Sequence, residues 1–324
     1  MTGTMTRLLL PLLAALFAVA APAAVQKRIA LSFDDVPRAP GTFMTPQERT
    51  DRLIAALRRA RVPQVAFFVN PGNLQQPWGA GREAQIAAYV RAGHVIANHT
   101  WDHPHLSQIG AAAFIANIDQ AASWLRGRPG FRPWFRFPFL DEAAGDIPTR
   151  DAVRAALRER HLSDGYVTLD SMDWLLDGLI GQAHVAGRTI DMNALGDLFV
   201  RNLVESAEFA DRLSRETLHR QPIQVVLMHE TDLEALFVAD AIAALRAHGW
   251  QIVRIDQAYR DPIAAAEPNS LYLATRIGAL ASLPGQPHRE LSPPSNRVDL
   301  VTVAFNREVL HLPPAVQPVP ARAQ

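Results

Sequence analysis

The segment that decides the fold covers residues 28–35 and has the sequence RIALSFDD. A largely apolar run closes here on two adjacent carboxylates, Asp34 and Asp35. A short run of this kind predicts a buried strand, so the two aspartates stand where that strand ends. Like charges side by side are costly, and this cost indicates that the pair has a function.

Strand-like and helix-like segments alternate along the rest of the chain. Further strands are predicted at Gln64–Asn70, His94–His99, Trp134–Pro138, Tyr166–Asp170, Gln224–His229 and Trp250–Ile255. The first helix is predicted to begin at Thr45-Pro46-Gln47-Glu48, which combines an N-cap threonine, an early proline and a glutamate three residues on. Such alternation favours parallel βαβ units, and about seven of them favour a closed or nearly closed β/α barrel.

Both ends of the chain and one internal segment are additional to the residues that a minimal β/α barrel needs. Arg7 and the apolar run Leu8–Ala20 predict a signal peptide over residues 1–23, because the run is shorter than the roughly 20 residues of a spanning helix. An uncleaved anchor is the alternative. The barrel domain is predicted at 24–262 with a helical insertion at about 177–220. Residues 263–324 form a C-terminal extension with a strand-like Val298–Phe305 and a Pro-rich, disordered end.

The composition narrows the classes of partner and of site. Lys+Arg and Asp+Glu both number 32, so no basic excess attracts nucleic acid or anionic lipid. The chain contains no cysteine, which excludes a thiolate metal site, a cysteine nucleophile and disulfides. Any metal is therefore held by nitrogen and oxygen atoms alone.

A histidine pair supplies the best candidate for such a site. His99 and His103 stand four residues apart, so both imidazoles can reach one metal. Alone the pair is a weak signal, since the chain has 11 histidines. Asp35 also lies at a strand end and would complete a His₂-carboxylate set with open coordination positions, the pattern of a catalytic zinc site.

Other polar residues are predicted at the same ends of neighbouring strands, which is the active face of a β/α barrel. Asp34 stands beside the candidate ligand, and Arg136 is the best cation to pair with it. Asp170, Asp173 and Trp174 bring two carboxylates and an indole to this rim. A lone histidine such as His229 is more often structural, but a hydrogen bond from its ring to Asp173 would make it a general acid.

Taken together, five segments resemble the motifs of polysaccharide deacetylases of carbohydrate esterase family 4, which share the NodB-homology domain. They occur in the family's order and span roughly residues 28–260. The five segments are Ser32-Phe33-Asp34-Asp35, His99-Thr100-Trp101-Asp102-His103, Arg136-Phe137-Pro138-Phe139, Asp170–Trp174 and Leu227-Met228-His229. Any one of them is weak, whereas five in order are a strong signal.

The resemblance implies a distorted (β/α)7-type barrel and metal-dependent removal of acyl groups from N-acyl sugars. Asp35, His99 and His103 would hold a divalent metal, zinc by preference, with cobalt or another transition metal as the alternative. Asp34 would be the general base, steered by Arg136, and His229 the general acid, tuned by Asp173. Further contacts would come from the Phe139 backbone N–H in an oxyanion hole, from Trp174 as a wall of the acetyl pocket and from Asp170 as a substrate-binding residue.

The chain departs from the family pattern at two positions, and three functions are still open at this point. Val36 stands where the family usually has glycine, and Phe139 where it usually has tyrosine. The resemblance, with the signal-like N-terminus, favours an exported, periplasmic or extracellular deacetylase of an N-acetylated glycan such as peptidoglycan, chitooligosaccharide or exopolysaccharide. The same chemistry on an O-acetyl xylan ester or a small amide is the second function. An inactive glycan-binding relative is the third, and the presence of both Asp34 and His229 speaks against it.

Overall fold

The computed structural model describes residues 26–272, 274–286 and 290–313. The predicted signal peptide and most of the Pro-rich end lie outside these residues. The described strands are β1 Arg28–Val36, β2 Ala66–Val69, β3 Val95–Asn98, β4 Phe131–Phe135, β5 Ser163–Asp164, β6 Leu169–Asp170, β7 Gln224–His229 and β8 Gln251–Ile252. The described helices are α1 Pro46–Arg59, α2 Glu83–Arg91, α3 Leu106–Leu125, α4 Ile147–Glu159, α5 Asp173–Val185, α6 Met192–Leu218, α7 Asp232–Ala247, α8 Ile255–Ala258, α9 Arg276–Ala281 and α10 Val298–Ala304.

These strands form one parallel sheet in the order β5-β4-β3-β2-β1-β7-β6, and β8 pairs with the start of β1. The two strands at the ends of this path, β5 and β6, are consecutive in the chain, so the sheet curls back on itself. Gly165 donates to the carbonyl of Phe135 on one side of the seam, and Thr168 donates to Val225 on the other. The predicted distorted β/α barrel is therefore confirmed.

Strand β1 lies inside the sheet between β2 and β7 and is buried on both faces. Ile29, Leu31 and Phe33 pack in the larger apolar cluster with the helices, while Ala30 packs in a second cluster with Phe68. Because successive side chains of a strand alternate between faces, Asp34 shares the face of Ala30. The alternation thus directs the first carboxylate toward the inner cluster at the C-terminal end of the barrel.

Local capping signals position the helices. Thr45 and Glu48 form the predicted capping box of α1, with each side chain bonded to the other's backbone N–H. Helix α2 ends at Arg91, and Gly93 after it has a φ of 95°, which a glycine adopts without strain. The strand predicted at Trp250–Ile255 is shorter, because only Gln251–Ile252 is extended.

The prediction of a strand at Val298–Phe305 is wrong. This segment forms α10 and continues into a π-helical turn over Phe305–Val309. Val301, Phe305 and Val309 are buried, whereas Val298 and Val303 are exposed. Burial every fourth residue is the period of a helix, so packing overrides the strand preference of valine here.

The segment predicted as an insertion contributes most of α5 and α6 and lies in the outer helical layer. Leu198, Phe199 and Leu203 of α6 belong to the same apolar cluster as Ile277 and Phe305 of the C-terminal extension. The extension also reaches the seam of the barrel, where the backbone N–H of Arg276 donates to Val167 at 2.7 Å. Within the described ranges no helix combines the length and hydropathy needed to cross a membrane.

Candidate active site

Left-handed backbone marks the loops at the C-terminal ends of the strands. Asp35, Thr100, His103, Phe139 and Met172 all have φ between 57° and 66°. Residues other than glycine adopt this conformation at a cost of about 1–3 kcal/mol each, which the surrounding structure must compensate. Their concentration at one face supports the hypothesis that this face carries the function.

Asp35, His99 and His103 are brought together as the histidine spacing predicted. Asp35 Oδ1 lies 3.0 Å from His103 Nε2 and 3.5 Å from His99 Nε2, and one ligand atom from each residue falls within 4.8 Å of the others. The Nδ1 atom of His99 is 2.9 Å from the carbonyl oxygen of Arg136. Because a carbonyl only accepts, His99 carries a proton on Nδ1, and its Nε2 is turned toward Asp35.

These three residues fit a divalent metal. Asp35 Oδ1 is buried, and none of the described residues gives it a hydrogen bond that meets normal geometry. Burial raises the pKa of Asp35, but the neighbouring His103 and His99 outweigh burial and hold the pKa well below its ordinary value. A carboxylate oxygen that lies 3.0 Å and 3.5 Å from two imidazole nitrogens belongs to a donor set that a divalent cation satisfies.

Asp34 occupies a different environment from its neighbour. Its Oδ1 accepts a hydrogen bond of 2.5 Å from Arg136 Nη1, and both side chains are almost fully buried. Its Oδ2 lies 3.6 Å from His99 Nε2 and so faces the candidate metal site. The pair Asp34–Asp35 is therefore divided between an arginine and two histidines.

All three nitrogen atoms of the Arg136 guanidinium donate hydrogen bonds, which hold the side chain in place. Nε donates to the carbonyl of Gly165 at 2.7 Å, and Nη2 donates to the hydroxyl of Tyr259 at 2.8 Å. The guanidinium carbon lies 3.9 Å from the ring centroid of Phe68, within the range of a cation–π contact. Held in this way, Arg136 orients Asp34 without rearrangement.

His229 and Asp173 form the predicted pair. The backbone N–H of His229 donates to Asp173 Oδ2 at 2.6 Å, and Nδ1 lies 2.9 Å from Oδ1. Burial lowers the pKa of His229, but the charge and hydrogen bond of Asp173, with Asp35 and Asp34 beyond, raise it to about 9. The imidazole is therefore protonated at neutral pH and presents Nε2–H to the site.

We expect Asp173→Asn to lower the pKa of His229 from about 9 to below its ordinary value of about 6.5, because burial then acts without the counter-charge. NMR titration of the imidazole in metal-free protein measures this change, with His229→Gln assigning the signal. A raised pKa stabilises the fold fully below about pH 6.5, and this contribution, at most about 3 kcal/mol, is lost as the pH rises through 9. Asp173→Asn should abolish that pH dependence of unfolding, whereas an unchanged titration would contradict the pairing.

A cavity of about 340 Å³ opens between these groups. Eight of its twelve lining residues were predicted from the sequence: Asp34, Asp35, His99, His103, Phe139, Asp170, Trp174 and His229. Arg136 and Asp173 lie behind this lining, each buried and bonded to a residue that faces the cavity. The structure thus brings all ten predicted residues to one place.

The two predicted substrate-binding residues form one side of the cavity. The indole Nε1–H of Trp174 donates to Asp170 Oδ2 at 3.3 Å, and the indole is 42% exposed. Burial raises the pKa of Asp170 to about 6. On another side, the ring of Phe139 stacks on His105 with centroids 3.6 Å apart and meets His103 edge-on.

Several residues of the site carry no signal in the sequence. Arg38 donates to Asp35 Oδ2 at 2.7 Å and to Asp177 at 3.3 Å, and it lines the cavity. Tyr259 holds Arg136, although it lies 123 residues away in the chain. Ala274 of the C-terminal extension completes the wall beside Trp174. Only Arg38 could have been suspected, from its position three residues after Asp35.

Comparison with known proteins finds a match for the N-terminal part of the chain, which carries several of the residues of this site. Residues 22–156 match a family model described as polysaccharide deacetylase. The matched residues include the candidate ligands Asp35, His99 and His103, together with Asp34 and Arg136. Asp173 and His229 lie beyond the match, so their place in the site rests on the geometry described above.

Relatives of known activity share part of this region. A chitin deacetylase of Colletotrichum lindemuthianum is 34% identical over 119 residues, which cover 36% of this chain and 44% of that protein. The peptidoglycan-N-acetylglucosamine deacetylase PgdA of Listeria monocytogenes is 33% identical over 86 residues, 26% of this chain and 16% of that protein. The chain thus spans less than half the length of these curated relatives.

A solved structure shares the fold over a longer range. The polysaccharide deacetylase Bc1974 from Bacillus cereus superposes with a TM-score of 0.50 and 16% sequence identity. The superposition covers 70% of this chain and 92% of that one. At this identity the likeness concerns the fold, and it agrees with the curled parallel sheet described here.

Proposed function

We propose that this protein is a metal-dependent deacetylase that hydrolyses the N-acetyl groups of an amino-sugar polymer or oligomer. The observation that carries the proposal is the separation of the two aspartates. Asp35 lies with two histidines in a cation-binding set, whereas Asp34 lies with Arg136 and faces the same cavity. The family of residues 22–156 and the activities of its relatives support the same chemistry.

Asp35, His99 and His103 are the residues that would hold the metal. A divalent ion such as Zn²⁺, when bound, lowers the pKa of water and polarises a carbonyl group. Arg38 supports this set, since it binds Asp35 Oδ2 and leaves Oδ1 directed at the imidazoles. Which metal the protein carries is for elemental analysis to determine.

In this proposal Asp34 and His229 would move protons on either side of a scissile amide. The two residues are direct neighbours on adjacent parallel strands, at the same register of β1 and β7. Asp34, hydrogen-bonded to Arg136, would accept a proton from the attacking water. His229, protonated through its bond to Asp173, donates a proton to the amine that leaves, and such acid–base steps contribute roughly 10² to 10⁴ in rate.

The remaining lining residues would receive the acyl group and the sugar. Trp174 and Leu227 contribute apolar surface beside His229, which suits the methyl group of an acetyl substituent. The backbone N–H of Phe139 is our candidate donor to the developing oxyanion. The apolar run near the N-terminus supports export of the protein to the periplasm or the cell exterior, where such glycans occur.

Acetate release tests the proposal. Purified protein loaded with Zn²⁺ should release acetate from chitooligosaccharides or peptidoglycan and contain about one metal per chain. Acetylxylan and small amides serve as competing substrate classes, and turnover of these alone would replace the N-acetyl glycan by the second function. Binding of glycans without any acetate release would indicate the inactive relative and overturn the proposal.

A further inference from the structure

Two segments of the chain share a capping-box pattern but use it differently. Thr45-Pro46-Gln47-Glu48 begins α1, and Thr231-Asp232-Leu233-Glu234 begins α7. In α1 the exposed Glu48 accepts a hydrogen bond from the Thr45 backbone N–H at 2.9 Å, as a capping box requires. In α7 the Thr231 N–H donates instead to the carbonyl of His229 at 2.9 Å. Glu234 is therefore not needed to cap its helix.

Glu234 is instead a fully buried carboxyl group beside the acid–base pair. Its side chain has no exposed surface, and its Oε2 accepts a hydrogen bond from the hydroxyl of Thr231. Among the described residues, no donor reaches its Oε1. The Glu234 carboxyl group is a hydrogen-bonding neighbour of the Asp173 carboxyl group.

Two carboxyl groups in such contact share a proton, because both cannot remain ionised side by side without water. The donors around them decide which one carries it. Asp173 accepts two hydrogen bonds from His229, one from its backbone N–H and one from its ring. Glu234 accepts hydrogen bonds from neutral groups, the hydroxyl of Thr231 and its own backbone N–H, whereas the ring of His229 is a charged donor to Asp173. The proton therefore belongs on Glu234, and burial and the charge of Asp173 both raise the pKa of Glu234 well above its ordinary value.

We propose that Glu234 is a positioning residue for the acid–base step: as a neutral acid it donates a hydrogen bond to Asp173 and fixes the carboxylate that holds His229. The inference rests on the proposed function, in which His229 is the general acid. It extends the pair to a row of three groups, Glu234, Asp173 and His229. In this row Asp173 carries a single negative charge, and both of its carboxylate oxygens accept hydrogen bonds.

The charged groups around these three residues determine how strongly His229 holds its proton. Asp34 and Asp35 on β1 and Asp170 on β6 act on His229, and Arg38 and Asp177 act on Asp173. Glu234 itself faces Asp173 as its charged neighbour. A neutral Glu234 limits the negative charge behind His229 to that of Asp173, and it weakens the pull of Asp173 on the imidazole proton. His229 is then a stronger acid than it would be with Asp173 alone.

Two substitutions separate this role from a purely structural one. Glu234→Gln keeps a neutral donor to Asp173 and an acceptor for Thr231, so the pKa of His229 should stay within about 0.3 unit of wild type and kcat within about twofold. Glu234→Leu removes the donor, so the pKa of His229 should rise by about 0.5 unit or more. The kcat of acetate release should then fall by about tenfold, the loss expected for one hydrogen bond to a charged group.

Glu48→Gln and Glu48→Leu are the matched controls, because Glu48 has the same position in an exposed capping box. They should alter thermal stability slightly and leave the His229 titration unchanged. The pKa of His229 is read by NMR in metal-free protein, and it needs no turnover. Absence of acetate release from the wild type would thus remove the proposed function without touching this measurement.

The outcome for Glu234→Gln decides the proposal even if Glu234→Leu does not fold. An ionised Glu234 would add a second negative charge near His229, and its neutralisation by glutamine would lower the pKa of His229 by about one unit or more. That result would overturn the proposal. A folded Glu234→Leu protein with an unchanged titration and unchanged kcat would overturn it as well, since Asp173 would then hold His229 without help.

Discussion

Asp34→Asn is expected to retain the metal and to lose turnover, with kcat lower by roughly 10² to 10⁴. Asparagine has the shape of aspartate but cannot accept a proton from water at neutral pH. The proposed ligands Asp35, His99 and His103 are unchanged by the substitution, so metal content should stay at about one per chain. Elemental analysis and acetate release, measured on the same sample, check the two halves of this prediction.

The same substitution should also change the stability of the protein, which must be measured together with the activity. Asp34 and Arg136 are both almost fully buried, and Asp34→Asn leaves the arginine without its counter-charge. The hydrogen bonds of Arg136 to Gly165 and Tyr259 remain, so we expect a loss of stability of about 1–3 kcal/mol rather than unfolding. Asp240→Asn, at an exposed position of α7, is the control and should change neither property. Full activity in Asp34→Asn would contradict the assignment of the base.

Much of the fold could be predicted because short-range rules act in this chain without conflict. The apolar run of β1 is buried on both faces, and the capping box of α1 stands where threonine, proline and glutamate indicated. The failure at Val298–Phe305 has a physical reason. Valine favours strands in general, but the packing of Val301 and Phe305 against the core rewards a helix at this position.

The candidate site could be assembled from the sequence because parallel strands of a barrel end at one face. That rule gathers Asp34, His99 and His229 without any knowledge of strand order. The register could not be predicted in the same way. That Asp34 faces His229 directly depends on β1 lying between β2 and β7, which only the folded sheet determines.

Glu234 and Tyr259 show the limit of such reasoning. The pattern around Glu234 is that of a capping box, and the same pattern at Glu48 does form one. The difference lies in burial and in the nearby carboxylate of Asp173, neither of which short-range sequence contains. Tyr259 likewise gains its role only because the chain after β8 returns to Arg136.

His99→Ala is expected to lose both the metal and the activity, in contrast to Asp34→Asn. The substitution removes Nε2, one of three nitrogen and oxygen donors, and it removes the hydrogen bond from Nδ1 to the carbonyl of Arg136. Changes to the outer partners of metal ligands already cost 10- to 100-fold in affinity, so the loss of a ligand should exceed about 100-fold. Equilibrium dialysis against Zn²⁺ measures the affinity directly.

Thermal unfolding separates loss of the metal from loss of the fold. A metal at 100 times its dissociation constant stabilises the native state by about 2.7 kcal/mol, so added Zn²⁺ should raise the Tm of the wild type. In His99→Ala this rise should disappear, and the metal-free Tm should lie below that of the metal-free wild type, because a buried imidazole and its hydrogen bond to the Arg136 carbonyl are lost. His184→Ala, at an exposed position in the last turn of α5, should behave as wild type. A His99→Ala protein that binds Zn²⁺ normally would show that the metal lies elsewhere. The assignment of Asp35 as a ligand and of Asp34 as the base would then be wrong.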